Sequence, residues 1–75
     1  MTYRGAPTAV VLGKVRSFDV REGLGELELE DGRTLGFHAT SLADGTRDVA
    51  VGTEVAATVV AGRRGRYEAA SITSR

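Results

Sequence analysis

Leucine and glutamate alternate in Gly23-Leu24-Gly25-Glu26-Leu27-Glu28-Leu29-Glu30, the stretch that decides the fold, which continues after Asp31-Gly32 into Arg33-Thr34-Leu35-Gly36-Phe37-His38. A two-residue period is typical of a strand with one buried and one solvated face. Leu35 and Phe37 continue the apolar face in the second segment, which leaves Gly36 and His38 on the outer face. The stretch therefore predicts two paired strands that contribute leucines to a core and glutamates to the surface.

The turn between these strands is marked by Asp31-Gly32, a typical hairpin signal. A two-residue loop would pair Glu28 with Leu35 and place a charge beside the core. A three-residue loop over residues 30–32 instead pairs Leu27 with Leu35 and gives Gly32 the position that needs positive φ. We predict this second register, because a slip by one residue would turn the glutamates inward. On the outer face it pairs Leu24 with His38, Glu26 with Gly36 and Glu28 with Thr34.

Ten glycines, recurrent valines and short alternating runs predict that the rest of the chain is also β-structure. A first strand is predicted over Thr8 to Phe18, with Val11 and Val15 inward and Lys14 and Arg16 outward. A long connection, Thr40 to Thr53, is expected to be anchored by Val49 and Val51. A fourth strand, Glu54 to Ala61, and a fifth, Arg66 to Ile72, flank a hairpin tip at Gly62-Arg63-Arg64-Gly65.

Five strands with one long loop between the third and fourth favour a small closed antiparallel barrel, which leaves no free sheet edge. The length of 75 residues allows one domain, predicted over residues 8–75 after a flexible N-terminus of residues 1–7. Cysteine is absent, which excludes disulfides and cysteine-based zinc sites. Neither a signal-peptide apolar segment nor a run long enough to span a membrane is present, so we expect a soluble cytoplasmic protein.

Three motifs resemble those of the bacterial cold-shock domain. Gly13-Lys14-Val15-Arg16-Ser17-Phe18-Asp19 is similar to G-x-V-K-W-F-N, Glu22-Gly23-Leu24-Gly25-Glu26-Leu27 to K-G-F-G-F-I, and Leu35-Gly36-Phe37-His38-Ala39-Thr40 to V-F-V-H-F-S. The resemblance extends over about residues 12 to 73 with its spacing kept. It implies a five-stranded antiparallel OB-fold barrel that binds single-stranded RNA or DNA.

In that family, bases stack on exposed aromatic side chains, and each such contact contributes about 1–3 kcal/mol. The resemblance implies that most of these aromatics are replaced here, since the corresponding positions are Ser17, Leu24, Glu26, Gly36 and Ala39. Phe18 and His38 are the two that remain. Losing three contacts weakens binding by roughly two to six powers of ten. Glu26 also adds a carboxylate that repels phosphate.

Each remaining candidate for a nucleic-acid contact could instead have a purely structural role. Phe18 is either a stacking residue or a strand-end residue packed on the barrel. His38 either contacts a base or lies on the surface against Leu24. Candidate contacts to a nucleic-acid backbone are Arg16, Arg33, Arg47, Arg63, Arg64 and Arg66, whose alternative is a solvated surface.

Two functions follow from these patterns. The first is weak binding of single-stranded RNA or DNA; the second is a protein-interaction or self-association module, as a homodimer or with a protein partner. Formal net charge is zero, with ten basic and ten acidic residues, which argues against strong non-specific nucleic-acid binding. With one histidine and no cysteine, the sequence offers no nucleophile–base pair, metal set or cofactor motif, so an enzyme is not expected.

Overall fold

The computed structural model describes residues 10–62 and 65–75, which form five strands and one short 3-10 helix. The strands are β1 (Val10–Asp19), β2 (Leu24–Leu29), β3 (Thr34–His38), β4 (Glu54–Ala61) and β5 (Tyr67–Ser74), and the 3-10 helix is Ala39–Ser41. The predicted limits of β4 are confirmed, whereas β5 lies further along the chain than predicted. The N-terminal segment 1–7, the first two residues of the predicted first strand, and Arg63 and Arg64 lie outside the described residues.

The strands close into a barrel in the order β1-β2-β3-β5-β4, which confirms the predicted all-β architecture of OB-fold type. The barrel is mixed and not purely antiparallel, because β3 and β5 run parallel and pair at Gly36 and Glu68. The reason is geometric: strands whose neighbours are all antiparallel must alternate in direction around the ring. An odd number of strands cannot alternate and close, so one of the five pairs has to be parallel.

The predicted register of the β2–β3 hairpin is confirmed at every position. Leu27 pairs with Leu35, and Glu26 pairs with Gly36. The Leu29 N–H donates to the Arg33 carbonyl at 2.8 Å, which closes the three-residue turn. Gly32 has φ of +92°, the left-handed conformation that the turn requires.

The core is built from the inward faces of all five strands. Leu27 is fully buried, and Val15 and Val55 are close to it in burial. The wider cluster adds residues from β2, β3, β4, β5 and the connection: Leu29, Leu35, Phe37, Leu42, Ala57, Val59, Ala69 and Ile72. A chain of this size buries only about 60–65% of its unfolded surface, so this single cluster supplies most of the apolar stabilisation.

The long connection between β3 and β4 is held differently from the prediction. Val49 packs against the core as expected, but Val51 is 65% exposed and is not an anchor. Backbone hydrogen bonds hold this part of the chain instead: the Gly52 N–H donates to the Val15 carbonyl at 2.8 Å, and the Val15 N–H donates to the Thr53 carbonyl at 2.9 Å. Because the backbone supplies these contacts, the Val51 side chain is left in solvent.

Two strand glycines differ in the space above them. A Cβ on Gly25 would lie 2.6 Å from both the Phe37 ring and the Ser17 carbonyl oxygen. A Cβ on Gly36 would meet only the Gly25 carbonyl oxygen, at 3.9 Å. Gly25 is therefore required by close packing, whereas Gly36 leaves the outer face open.

Substitution of these glycines should have opposite effects on stability. Gly25→Ala is expected to lower the free energy of unfolding by about 1–3 kcal/mol, because the added methyl group overlaps the Phe37 ring and the β1 backbone. Gly36→Ala, the matched control, is expected to leave stability unchanged or raise it by up to about 1 kcal/mol, because it restricts the unfolded chain without a clash. Urea denaturation followed by circular dichroism measures both. Equal midpoints for the two variants would contradict this packing.

Candidate functional site

Four neighbouring strands place a row of residues side by side on the outer surface. Ser17 of β1 pairs with Glu26 of β2, Glu26 with Gly36 of β3, and Gly36 with Glu68 of β5. Neighbouring strands lie about 4.8 Å apart, so Glu26 and Glu68 flank the exposed backbone of Gly36 at roughly 10 Å from each other. The row combines two carboxylates with a glycine floor.

A β-bulge in β1 decides which side chains reach this surface. The pairing of β1 with β2 shifts between Val15 and Ser17, so that Arg16 is the extra residue. Beyond the bulge the alternation is reversed, and Phe18 faces the inner side of Gly25 while Ser17 is exposed. The Phe18 ring lies parallel to the Phe37 ring with centroids 5.8 Å apart.

Phe18 is therefore half-buried against the core and is not part of the outer surface row. Of the two interpretations that the sequence left open, the structure places it as the strand-end residue packed on the barrel. Base stacking by Phe18 stays a prediction. The bulge that turns its ring inward has no signal in the residue pattern.

An open groove runs over the surface row, with a volume of ≈ 960 Å³. We call it the central groove and define it by its lining residues, which are Ser17, Leu24, Gly25, Glu26, Gly36, Phe37, His38, Ala61, Gly62 and Glu68. Four positions implied by the resemblance line it, namely Ser17, Leu24, Glu26 and Gly36. Ala39, the fifth, is corrected: it is 5% exposed, and its N–H donates to the Gly23 carbonyl at 2.7 Å, so its methyl group is not on the surface.

The middle of the central groove is negatively charged. Glu26 and Glu68 are both exposed, and neither forms an ion pair or a hydrogen bond with any residue in the described ranges. The Glu68 carboxylate lies over the Gly62 backbone, where a Cβ would collide with it. Glu26 thus lies on the β2 side of Gly36, and Glu68 lies on its β5 side with its carboxylate towards Gly62.

Arginines border both ends of the central groove. At one end, a depression of ≈ 700 Å³ shares Glu26, Gly36 and Glu68 with it and is also lined by Arg33, Arg66 and Tyr67. At the other end, a smaller depression of ≈ 190 Å³ shares His38 and is lined by Arg21 and Arg47. The three adjoin one another through shared residues: arginines lie at both ends, together with Glu22 at the Arg21 end, and Glu26 and Glu68 lie in the middle.

Sequence reasoning missed several residues of this surface. Tyr67 is 47% exposed and supplies an aromatic ring next to the Arg33 end. Arg21 and Glu68 were also not singled out as site residues. Their place could have been found only from the parallel β3–β5 pair, which brings Glu68 beside Gly36, and from the loop after β1.

Of the arginines predicted to contact a nucleic-acid backbone, the structure places some at the groove and one away from it. Arg33 and Arg66 border the groove, whereas Arg16 lies in the bulge and is not among the lining residues. Arg63 and Arg64 lie outside the described residues. The Arg33 Nε donates to Asp31 Oδ2 at 2.7 Å, and this ion pair is exposed, the kind of pair that contributes little to stability. The pKa of Asp31 is lowered, chiefly by the Arg33 backbone N–H that donates to its carboxylate.

His38 is held in one orientation at the start of the 3-10 helix. Its Nδ1 accepts the Thr40 backbone N–H at 3.1 Å and lies 3.0 Å from the Thr40 hydroxyl. With Nδ1 as acceptor, the neutral ring carries its proton on Nε2. Nε2 is therefore the ring's donor towards a ligand, next to the exposed Leu24.

The described residues lack two features of other functional classes, a metal-binding cluster and a membrane-spanning helix. In the parts of the chain that the structure describes, no group of three or more His, Asp or Glu side chains is placed to hold a metal ion. No helix in those residues is both long and apolar enough to cross a membrane.

No protein-family model matches this chain, and no curated protein matches its sequence.

Because Phe18 packs on the core and does not line the groove, replacing it should lower stability without changing the affinity for nucleic acid. Phe18→Leu is expected to lower the free energy of unfolding by about 1–2 kcal/mol, because the parallel contact with Phe37 is lost. It should leave the affinity for a single-stranded oligonucleotide within about twofold of the parent, since the ring is not on the groove. Urea denaturation and fluorescence anisotropy measure the two effects. A tenfold loss of affinity with unchanged stability would show that Phe18 stacks on a base.

Proposed function

We propose that this chain binds single-stranded nucleic acid weakly along the central groove, as a divergent relative of the cold-shock domain. The observation that carries the proposal is the continuity of the surface: an open groove with a glycine floor connects an arginine pair at each end. Such a layout suits a strand that contacts the arginines with phosphates near the two ends and turns bases towards the glycine floor in between.

The arginine pairs supply the attraction to phosphate. Arg33 and Arg66 at one end, and Arg21 and Arg47 at the other, present guanidinium groups that suit phosphate oxygens in bidentate geometry. The net charge of zero means that this attraction is local to the ends of the groove. Binding is therefore expected to fall steeply as salt is added.

Rings for base stacking lie near the two ends of the surface and not at its centre. Tyr67 is exposed beside Arg66, and His38 is exposed beside Arg47. Each stacked base contributes about 1–3 kcal/mol, so two rings support only modest affinity. Glu26 in the middle repels phosphate, which keeps the affinity low and confines the strand to a path with its bases over Gly36.

A second candidate function is self-association or binding of a protein partner. It is favoured by the exposed apolar side chains Val20 and Leu24, which lie on either side of His38 at one end of the groove. Sedimentation velocity over a wide range of protein concentrations tests self-association. A monomer throughout would leave nucleic-acid binding as the better supported function.

The proposed function is tested by titrating labelled single-stranded DNA and RNA oligomers with the protein and following fluorescence anisotropy. At low salt we expect dissociation constants on the order of 1–100 μM, the range of electrostatically driven binding. Absence of binding to every oligomer at tens of micromolar protein in low salt would rule out the proposal.

Removing one arginine at a groove end should change the salt dependence of binding. Arg66→Gln is expected to weaken binding several-fold at low salt and to reduce the slope of log K against log salt by about 0.7, the loss of one phosphate contact to a single strand. Arg75→Gln is the matched control, because Arg75 lies outside the groove and pairs with Glu30 and Glu54. An unchanged slope for Arg66→Gln would place the strand elsewhere.

Restoring aromatic side chains at the centre of the groove should strengthen binding. The double substitution Glu26→Phe with Gly36→Phe is expected to raise single-strand affinity at least tenfold, because two stacking contacts are added and a carboxylate is removed. The surface has room for both rings, since Glu26 is exposed and Gly36 has open space above it.

Glu54→Phe is the control for this double variant. It also replaces an exposed strand glutamate with an aromatic ring, but Glu54 does not line the groove. Its affinity should stay within about threefold of the parent, as expected for a surface position without a base contact. Equal gains in the double variant and in Glu54→Phe would contradict the position of the groove.

A further inference from the structure

We infer that Glu26 makes the central groove selective for guanine. This inference rests on the proposed function and adds the class of base that the groove accepts. By resemblance to the cold-shock motifs, Glu26 replaces an aromatic side chain, and this replacement weakens binding. Its position in the structure gives it a role in discrimination between bases.

The position of Glu26 follows from the strand register. Glu26 pairs with Gly36, so its side chain rises from β2 beside a β3 residue that has no side chain. Space above Gly36 is open, since an added Cβ would meet nothing closer than the Gly25 carbonyl oxygen at 3.9 Å. A base that lies flat on the Gly36 backbone therefore turns one edge towards the Glu26 carboxylate.

The carboxylate is also free to meet that edge. No residue in the described ranges donates a hydrogen bond to Glu26 or forms an ion pair with it. Arg33, a basic residue on the adjoining depression, is already bonded to Asp31. The carboxylate of Glu68 on the far side lies over Gly62. Glu26 is thus the acceptor on the β2 side of a base that lies over Gly36.

An ionised carboxylate accepts hydrogen bonds through two oxygens and donates none. Guanine carries two adjacent donors on one edge, its ring N1–H and its exocyclic amino group, which match the two oxygens. Thymine and uracil offer one N–H between two carbonyl oxygens, and those oxygens repel the carboxylate. Adenine and cytosine offer one amino group next to a ring nitrogen that is an acceptor. Only guanine satisfies both oxygens.

Removing water from the Glu26 carboxylate is unfavourable, and this increases the preference for guanine. A base that lies over Gly36 removes water from Glu26, and this is unfavourable unless the base replaces the lost hydrogen bonds. Guanine replaces them with two charge-assisted bonds, which are stronger than neutral ones. The same residue therefore lowers the affinity for thymine and uracil and supports the binding of guanine.

The experiment compares seven-nucleotide DNA oligomers that are identical except at the central position. The background is deoxythymidine, and the centre carries thymine, cytosine, hypoxanthine or guanine; hypoxanthine keeps N1–H and lacks the amino group. Fluorescence anisotropy at low salt is expected to give about tenfold tighter binding for guanine than for thymine, with hypoxanthine between them. Equal affinity for guanine and hypoxanthine would overturn the two-bond contact.

Variants assign the preference to Glu26. Glu26→Gln keeps the size of the side chain but replaces one acceptor oxygen with a donor, and it should reduce the guanine preference to about twofold or less. Glu28→Gln is the matched control, because Glu28 lies two residues further along the same strand, is exposed, and does not line the groove. It should keep the tenfold preference. Circular dichroism checks that both variants are folded.

The outcomes separate this inference from the proposed function. If all four oligomers bind with equal affinity, guanine selectivity is wrong while single-strand binding stands. If none binds at tens of micromolar protein, the proposed function fails, and guanine selectivity fails with it. A guanine preference that survives in Glu26→Gln and is lost in Glu28→Gln would overturn the assignment to Glu26.

Discussion

The contact of Phe18 with Phe37 across Gly25 relates the core of this barrel to its outer surface. Gly25 lies between them, paired with Phe18 on one side and with Phe37 on the other. Because Gly25 has no side chain, the two rings meet in parallel at 5.8 Å beneath β2. This inward packing fixes which residues of the same three strands face out. Ser17, Glu26 and Gly36 form the surface row as a consequence.

The distribution of charge on the surface follows from that row and from the parallel strand pair that closes the five-stranded barrel. The parallel pair between β3 and β5 brings Glu68 next to Gly36, so the middle of the groove is acidic on both sides. The arginines lie further out, on loops and strand ends. If single-stranded nucleic acid binds as proposed, the centre of this surface adds little affinity. Its centre instead suits discrimination between bases, since a carboxylate penalises every edge that does not donate to it.

Much of the fold could be predicted from the residues, because the hairpin has strong local constraints. Alternating leucine and glutamate, together with one glycine that needs positive φ, leave a single register without buried charge, and Gly32 adopts φ of +92°. The limits of β4 follow equally well from its valines. Closure into a barrel follows from the number of strands and the absence of a helix pattern.

The rest depends on non-local geometry that the residue pattern does not contain. The bulge at Arg16 reverses the alternation of β1, so Phe18 turns inward, which is one of the two placements that the pattern leaves open. Ala39, the first residue of the 3-10 helix, is buried, and Val51 is exposed in a connection whose end is held by backbone hydrogen bonds. Tyr67 and Glu68 join the site only through the parallel pair. Local pattern therefore predicts the strands, whereas the bulge and the closure decide the site.

The central claim is that a single strand lies over Gly36 between two basic ends. It is tested most directly by recording two-dimensional ¹H–¹⁵N spectra of the labelled protein while an unlabelled seven-nucleotide single strand is added. The account predicts that the largest shifts occur at the backbone amides of Glu26, Gly36 and His38 and at Arg66, with little change at Glu54 and Arg75. Shifts concentrated around Lys14, Glu54 and Arg75, on the surface away from the groove, would contradict it.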